Sequence, residues 1–261
     1  MSWDSKLFNL HLTTRRFGRE SVWLEELDST NRWLMENQAQ FTMSGGIIVT
    51  DHQTSGRGRR ERTWHDAPGD SLLFTVLLRH PADNTSLGFL SLTPAISLAR
   101  VLHKRFGALH RVSVKWPNDA QINSRKVAGV LGQSVIHGMQ STSVVGVGIN
   151  AYTRREDFPE ECRDRSTSIL AETGERVPRE ILLAEMLNQW EPLFDDLLER
   201  RFDVLTAHWE SFGPARSSAI TRQESGESIT GTFEGLGSHG QLMLRDEQGA
   251  LHELFTGDLT S

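Results

Sequence analysis

The stretch Gly56-Arg57-Gly58-Arg59-Arg60-Glu61-Arg62-Thr63-Trp64 places four arginines and two glycines within nine residues. Guanidinium groups are planar forks that match carboxylate and phosphate oxygens, and a glycine-broken turn lets backbone N–H groups approach a ligand closely. Like charges this near one another repel, so the segment needs negative charge from elsewhere. The spacing is not that of a P-loop, because no Gly-Lys-Ser/Thr follows, nor of a dinucleotide fingerprint, because Glu61 stands where the third glycine belongs. A solvated basic loop could carry the same residues. Trp64 favours a ligand instead, since a tryptophan closing a charged loop suits a flap that shields a polar molecule from water.

Three further segments have chemistry-bearing ends. Lys126 follows the turn Ile122-Asn123-Ser124-Arg125 and opens a run of small and apolar residues, so it stands at the mouth of a buried strand. An exposed hairpin lysine is the plainer reading, but Gly129 and Gly132 would let a ligand approach that strand. Lys115-Trp116-Pro117-Asn118-Asp119 ends a strand and offers an amide and a carboxylate at its rim, although Pro-Asn-Asp is also good turn chemistry. Gly146-Val147-Gly148-Ile149-Asn150 ends another strand on an asparagine, with core packing as the alternative.

These groups need elements to hold them. A short strand over 22–27 leads to Asp28-Ser29-Thr30-Asn31, residue types that cap a helix. β-Branched and apolar runs predict buried strands at 45–53 and 70–80, on either side of the arginine segment. Residues 86–107 have helical periodicity, with Pro94 opening or kinking the helix. Strands follow at 111–117, 126–136 and 143–150; the turn at 122–126 pairs the first two as a hairpin, and the third extends an antiparallel meander. Pro178 opens a helix over 178–200, and a second helix lies near 203–211. Short strands and glycine turns over 219–259 predict a small β-barrel. The expected architecture is α+β, with a larger domain over 1–210 and a small β domain over 211–261.

Composition bounds the function. The chain has 261 residues, 37% hydrophobic and 24% charged, with a formal net charge of −6. That is an ordinary soluble composition without the basic field of a general nucleic-acid binder. One cysteine, Cys162, excludes a disulfide framework within the chain and a cysteine-built zinc site. No metal-ligating residue is named. The N-terminal segment lacks signal-peptide character and no run is apolar enough for a membrane helix, which points to the cytoplasm and to no membrane partner.

Taken in order, Asp28-Ser29-Thr30-Asn31, the 53–64 segment, Lys115 to Asp119, Lys126 to Leu131 and Gly146 to Asn150 resemble the motif series of biotin–protein ligases, from about residue 20 to the C-terminal end. The resemblance implies a catalytic domain of the class II aminoacyl-tRNA synthetase and biotin ligase type, followed by an SH3-like domain. It implies a two-step reaction in which biotin and MgATP give biotinoyl-5′-AMP, and a lysine of a biotin carboxyl carrier protein then displaces AMP. On this resemblance Arg57, Gly58 and Arg59 contact biotin and its adenylate, and Lys126 bridges the biotin carboxylate and the α-phosphate. Ser29, Thr30, Asn31 and Gln53 line the biotin site, with Gly129 and Leu131 flanking an apolar slot. Arg60, Arg62, Trp64, Asn118 and Asn150 fall to the nucleotide side. The missing negative charge is then on the ligands. Some relatives pair as homodimers through sheet edges, so a homodimer is possible on the same ground.

Three positions depart from the pattern. Glu61 replaces a usual glycine, Gln133 a common acidic residue, and the sequence stops at Gly257-Asp258-Leu259-Thr260-Ser261 before a basic residue frequent in relatives. About twenty residues precede the catalytic strand, too few for a DNA-binding domain. Two rivals remain at this level: a lipoate-type ligase of the same fold, and a biotin-binding module that has lost catalysis.

Overall fold

In the computed structural model, residues 3–82, 87–224 and 226–260 are described. The chain begins with α1 (Ser5–His11), β1 (Ser21–Leu27), α2 (Thr30–Asn37), β2 (Ile47–Gln53), β3 (Ser71–Pro81) and α3 (Leu87–Phe106). It continues with β4 (Val112–Lys115), β5 (Asp119–Ile122), β6 (Arg125–His137), β7 (Gln140–Asn150), α4 (Glu160–Arg163), α5 (Ile169–Thr173), α6 (Arg179–Leu198) and α7 (Phe202–Glu210). Five strands complete it: β8 (Ala219–Glu224), β9 (Glu227–Leu236), β10 (Leu242–Arg245), β11 (Leu251–Leu254) and β12 (Asp258–Thr260).

The large sheet has seven strands in the order β1-β2-β3-β7-β6-β5-β4. β1 and β2 run parallel and every other neighbouring pair is antiparallel. A parallel neighbour needs a crossover, and α2 supplies it, lying over β2, β3 and β7. On the opposite face α3 packs on β4, β5 and β6, and α6 packs on α3.

The period-2 alternation of the central strands sorts their side chains between these faces. Leu72, Phe74, Val76 and Leu78 of β3 join the main core with Val145, Val147 and Ile149 of β7 and Ala128 and Val130 of β6. Leu77 and Val144 turn the other way, to a smaller cluster with Leu34 of α2, Phe41 and Ile48. On that second face the register sets Gly129 directly beside Gly148, and Leu131 beside Gly146. Large residues fill the helical layer, and glycines leave a trough on the α2 side.

The N-terminal segment is fastened to α6. The Glu191 carboxylate accepts from the backbone N–H groups of Arg15, Arg16 and Phe17 at 2.7, 2.7 and 3.2 Å. Burial raises the Glu191 pKa, but these three donors and the Arg16 charge outweigh it and hold the carboxyl below its ordinary value.

Several expectations change. The predicted hairpin between 111–117 and 126–136 is interrupted by β5: the turn at Asn123 and Ser124 joins β5 to β6, and β4 pairs with β5. Only Asn118 and Asp119 read as a strand rim, and Ile122 as part of the turn, because this strand is short and half polar. α3 runs through Pro94 and begins at Leu87, with Ser86 of the expected helix outside the described residues. The C-terminal strands form an antiparallel sheet in the order β11-β10-β9-β8-β12, and among the described residues no pairing of β11 with β12 closes it into the expected barrel. This sheet joins the larger unit through a shared core, where Trp209 of α7 meets Phe233 of β9 edge-on at 5.6 Å. Trp116 Nε1 also donates to the Gly240 carbonyl at 3.0 Å. Among the described residues no helix is long and apolar enough to cross a membrane.

Candidate active site

The glycine trough is covered by Trp64. A Cβ built on Gly148 would lie 2.6 Å from the Trp64 indole, and one on Gly129 would lie 2.9 Å from Lys126 Nζ and 3.2 Å from the indole. The ring therefore rests on bare backbone, which no other residue type would permit at Gly148 without moving it. Lys126 Nζ sits 5.8 Å from the Trp64 ring centroid. The indole Nε1 is buried without a hydrogen-bond partner, an unmet donor inside the site.

Lys126 is the second residue of β6, where the backbone is also tied to a neighbouring segment. Its N–H donates to the Arg165 carbonyl and its carbonyl accepts from Thr167 N–H, each at 2.8 Å. The 165–167 segment, which carried no sequence signal, thus forms one wall. Lys126 Nζ lies 2.8 Å from Asp119 Oδ1, an ion pair without hydrogen-bond alignment that leaves that oxygen formally unpartnered. Asn118 donates to the Val130 carbonyl at 2.6 Å, and its Oδ1 accepts from Arg59 Nη1 at 3.4 Å. Burial and the neighbouring Arg60 charge lower the Arg59 pKa, opposed by Asp119, Asp258 and Glu224. Asn150 donates to the Thr167 carbonyl at 3.0 Å and pins the end of β7.

At the other end of the trough, Gln53 Oε1 accepts from both Thr30 N–H and Thr30 Oγ1, at 2.8 and 3.0 Å. Ser29 precedes α2 and is buried, but its side chain does not cap the helix. Asn31 is fully engaged: it donates to the Leu131 carbonyl at 3.0 Å and to Gln133 Oε1 at 3.1 Å, and accepts from Thr75 Oγ1 at 2.8 Å. Its amide fills the space above Gly146. Gln133, a departure from the expected acidic type, therefore works as an acceptor that steadies Asn31. Beside Gln53, Asp66 pairs with His52 Nδ1 at 2.8 Å, and burial raises its pKa against the opposing pull of that histidine.

The arginine segment folds back on itself. Gly58 N–H donates to the Arg62 carbonyl at 2.7 Å, and Trp64 N–H to the Gly56 carbonyl at 3.0 Å. Arg60 and Glu61 have left-handed backbones, with φ of 54° and 59°, a conformation that costs non-glycine residues roughly 1–2 kcal/mol each. Arg59 reaches Asn118 at the trough, whereas Arg57 is exposed and bridges to Thr63 through its backbone. Arg60 and Arg62, expected on the nucleotide, pair with the C-terminal sheet in this structure: Arg60 lies 2.6 Å from Glu224 and 3.4 Å from Asp258, and Arg62 lies 3.1 Å from Asp258. Part of the negative charge that the sequence assigned to ligands is thus supplied by this chain. No signal marked Glu224 or Asp258, because their partners lie 164 and 196 or more positions away.

The geometry brings Lys126, Arg59, Trp64, Gly129, Leu131, Thr30, Asn31 and Gln53 around one trough, with Asn118 and Asn150 at its strand ends. Among the described residues no group of three or more His, Cys, Asp or Glu side chains is placed to hold a metal ion. A model of the biotin/lipoate A/B protein ligase family matches residues 23–150. The chain is 30% identical to the biotin–[acetyl-CoA-carboxylase] ligase of Paracoccus denitrificans, over 87% of this chain and 94% of that one. It is 28% identical to the bifunctional ligase/repressor BirA of Escherichia coli strain K12, over 91% of this chain and 72% of the relative. The Aquifex aeolicus biotin protein ligase solved with biotin and ATP superposes with a TM-score of 0.75 at 28% identity, covering 93% of this chain and 98% of that one. With a relative at that identity aligned over almost its whole length, the chain belongs to the biotin/lipoate A/B protein ligase family, among the biotin–protein ligases.

Proposed function

We propose that this chain activates biotin with ATP as biotinoyl-5′-AMP and transfers the biotinyl group to one lysine of a biotin carboxyl carrier protein. The observation that carries the reading is the convergence of Lys126 and Arg59 on a trough floored by Gly129 and Gly148 and capped by Trp64. In the first step the biotin carboxylate attacks the α-phosphorus, the bond to the bridging oxygen breaks and pyrophosphate leaves. Two anions must meet, and a fixed ammonium and guanidinium screened from water lower that barrier. In the second step the uncharged carrier amine attacks the acyl carbon, AMP leaves with the electron pair of the broken bond, and the nitrogen gives up one proton to solvent. No protein nucleophile is needed.

Thr30 and Gln53 are positioned to exchange their mutual hydrogen bonds for the polar head group of biotin, and Leu131 with the two glycines forms the apolar slot. Arg57 and Arg59 serve the carboxylate and the adenylate, Asn118 and Asn150 the nucleotide side. Arg60 and Arg62 contribute to ATP binding only by leaving Glu224 and Asp258. Magnesium enters with ATP, because Mg²⁺ is held mainly by phosphate oxygens and water with one or two carboxylates; Asp119, paired with Lys126 at the trough, is the nearby carboxylate. The acceptor is the carrier of an acetyl-CoA carboxylase or a related carboxylase, met in the cytoplasm. Operator binding has no place in this reading, since a net charge of −6 gives no overall basic field for a phosphate backbone. Homodimerisation through a sheet edge is compatible with it.

The test is pyrophosphate release from ATP by the purified chain with biotin, lipoate or octanoate, followed by transfer to an isolated carrier domain. Biotin-dependent release with transfer to the carrier is expected. Release driven as well by lipoate, or independent of any acid, would overturn the assignment.

A further inference from the structure

On the face of the large sheet away from the trough, a groove of about 470 Å³ lies where the last turns of α3, the start of β4 and the end of α7 meet. Arg100 and His103 of α3, His110, Arg111 and His208 of α7 line it, with Phe212 at one side. The face is fixed by alternation: Val112 and Val114 point into the core under α3, whereas the register places Lys126 beside Gln121 and Gln121 beside Ser113 on the other side.

This is an odd concentration of positive charge for an acidic chain. Arg100 is half-buried, yet among the described residues it has no carboxylate within ion-pair distance. Its Nη2 lies 2.6 Å from Nδ1 and 2.9 Å from Nε2 of His208, so only the unprotonated ring nitrogen accepts. Arg111 has no side-chain partner among the described residues. Asp196 is the carboxylate whose charge reaches Arg100 and His208, and it is paired with Arg201. Glu172, behind His110, is taken by Arg125 and by Asn123. Asn123 in turn donates to His110 Nδ1 at 3.2 Å, which leaves Nε2–H of that ring as a donor.

Basic residues at a helix C-terminus are ordinary dipole partners, and His103, Lys104 and Arg105 need no further reason. That account does not extend to Arg111 beside β4 or His208 on α7, nor to a half-buried guanidinium set against an imidazole. Burial, then the Arg100 charge, lower the His208 pKa against the pull of Asp196, keeping that ring a neutral donor and acceptor. Two guanidinium forks and imidazole N–H groups match the oxygens and double charge of a phosphate.

We propose that this groove binds a phosphate dianion, free or carried on a small phosphorylated molecule. Its volume exceeds that of the bare ion and leaves room for a sugar-sized body. The site is separate from the adenylation trough and does not depend on the function proposed for it.

The experiment follows the imidazole resonances of ¹⁵N-histidine-labelled full-length chain. Inorganic phosphate or ribose 5-phosphate is added at constant ionic strength, with acetate as the monoanion control. Saturable shifts of His103, His110 and His208 are expected with both phosphate probes, half-complete at about 1 mM, and none with acetate. Tighter binding of ribose 5-phosphate assigns the site to phosphate esters, and equal binding to the free ion. Arg111→Gln is expected to weaken binding about tenfold and Arg100→Gln further still. Thermal melts check both variants; should Arg100→Gln fail to fold, the exposed Arg111 decides. Absence of saturation by about 20 mM, equal shifts with acetate, or unchanged affinity in Arg111→Gln overturns the proposal.

Discussion

Lys126 illustrates how one residue serves a site without carrying the fold. Its charge faces Asp119 and the Trp64 ring, and its backbone alone is tied to the 165–167 wall. Removing the ammonium should therefore leave the strand in place. Lys126→Ala is expected to slow adenylate formation by on the order of 10²–10³, the usual cost of one preorganised charge-stabilising group, with a melting temperature within a few degrees of the parent. Single-turnover formation of biotinoyl-AMP measures the first quantity and calorimetry the second. A rate within a few-fold of the parent would place the charge stabilisation on Arg57 and Arg59 alone. At this scale the sequence was informative about residue types and silent about partners. Lys126, Arg59 and Thr30 were legible because their motifs mark them. That Asn31 is spent on Leu131, Gln133 and Thr75 was not, because those contacts join strands brought together only in the fold.

The arginine segment is the element on which closure depends, and it is held by opposite means at its two ends. Trp64 lies on Gly148, so Gly148→Ala forces the indole away from a Cβ that would come within 2.6 Å of it. Trypsin is expected to cut the 57–62 stretch faster in that variant while the rest of the chain resists as before; an unchanged cleavage rate would mean that the ring does not rest there in solution. At the other end Glu224 and Asp258 hold Arg60 and Arg62. A hydrogen bond from Thr256, then the bond and charge of Arg60 and the charge of Arg222, lower the Glu224 pKa against burial. Burial raises that of Asp258, but Arg62, Arg60 and Lys115 more than offset it. Both folded-state values lie below the ordinary 4.5 and 3.8. The attachment is therefore complete at neutral pH and is lost only as pH falls beneath that range. Tryptic protection of the segment should be flat from pH 8 to about pH 5 and insensitive to histidine titration, whereas Asp258→Asn should weaken it at every pH, Glu224 still holding Arg60. Among elements, β2, β3 and α6 were legible because apolar runs and Pro178 announce them. α1 and β5 were not, being seven and four residues long, too short for periodicity to separate from turn chemistry.

At the scale of the molecule, the C-terminal sheet is both a partner of the site and part of the same core. Phe233, Leu242 and Leu244 belong to one apolar cluster with Trp209, α3 and α6, so the two units should melt together. Phe233→Ala is expected to destabilise the whole chain by about 3–5 kcal/mol, lowering a single calorimetric transition rather than splitting off a weak one. Two resolved transitions in the parent would show that the sheet is an independent unit. Its β character was legible in the glycine spacing, but its docking was not. That Arg60 and Arg62 pair with Glu224 and Asp258 was not legible either, because nothing in a linear sequence shows that two carboxylates from its far end will reach them.

The fastening of residues 15–17 to Glu191 has a consequence for synthesis. Residues 15–17 leave the ribosome well before their partner, which lies in one of the later helices, and β3 meets β7 only once residue 150 has emerged. At the usual pace of translation, the N–H groups of Arg15 to Phe17 and the ring of Phe17 wait on the order of ten seconds or more for α6. During that interval the nascent chain carries an unclosed apolar surface, and holding chaperones have their opportunity there.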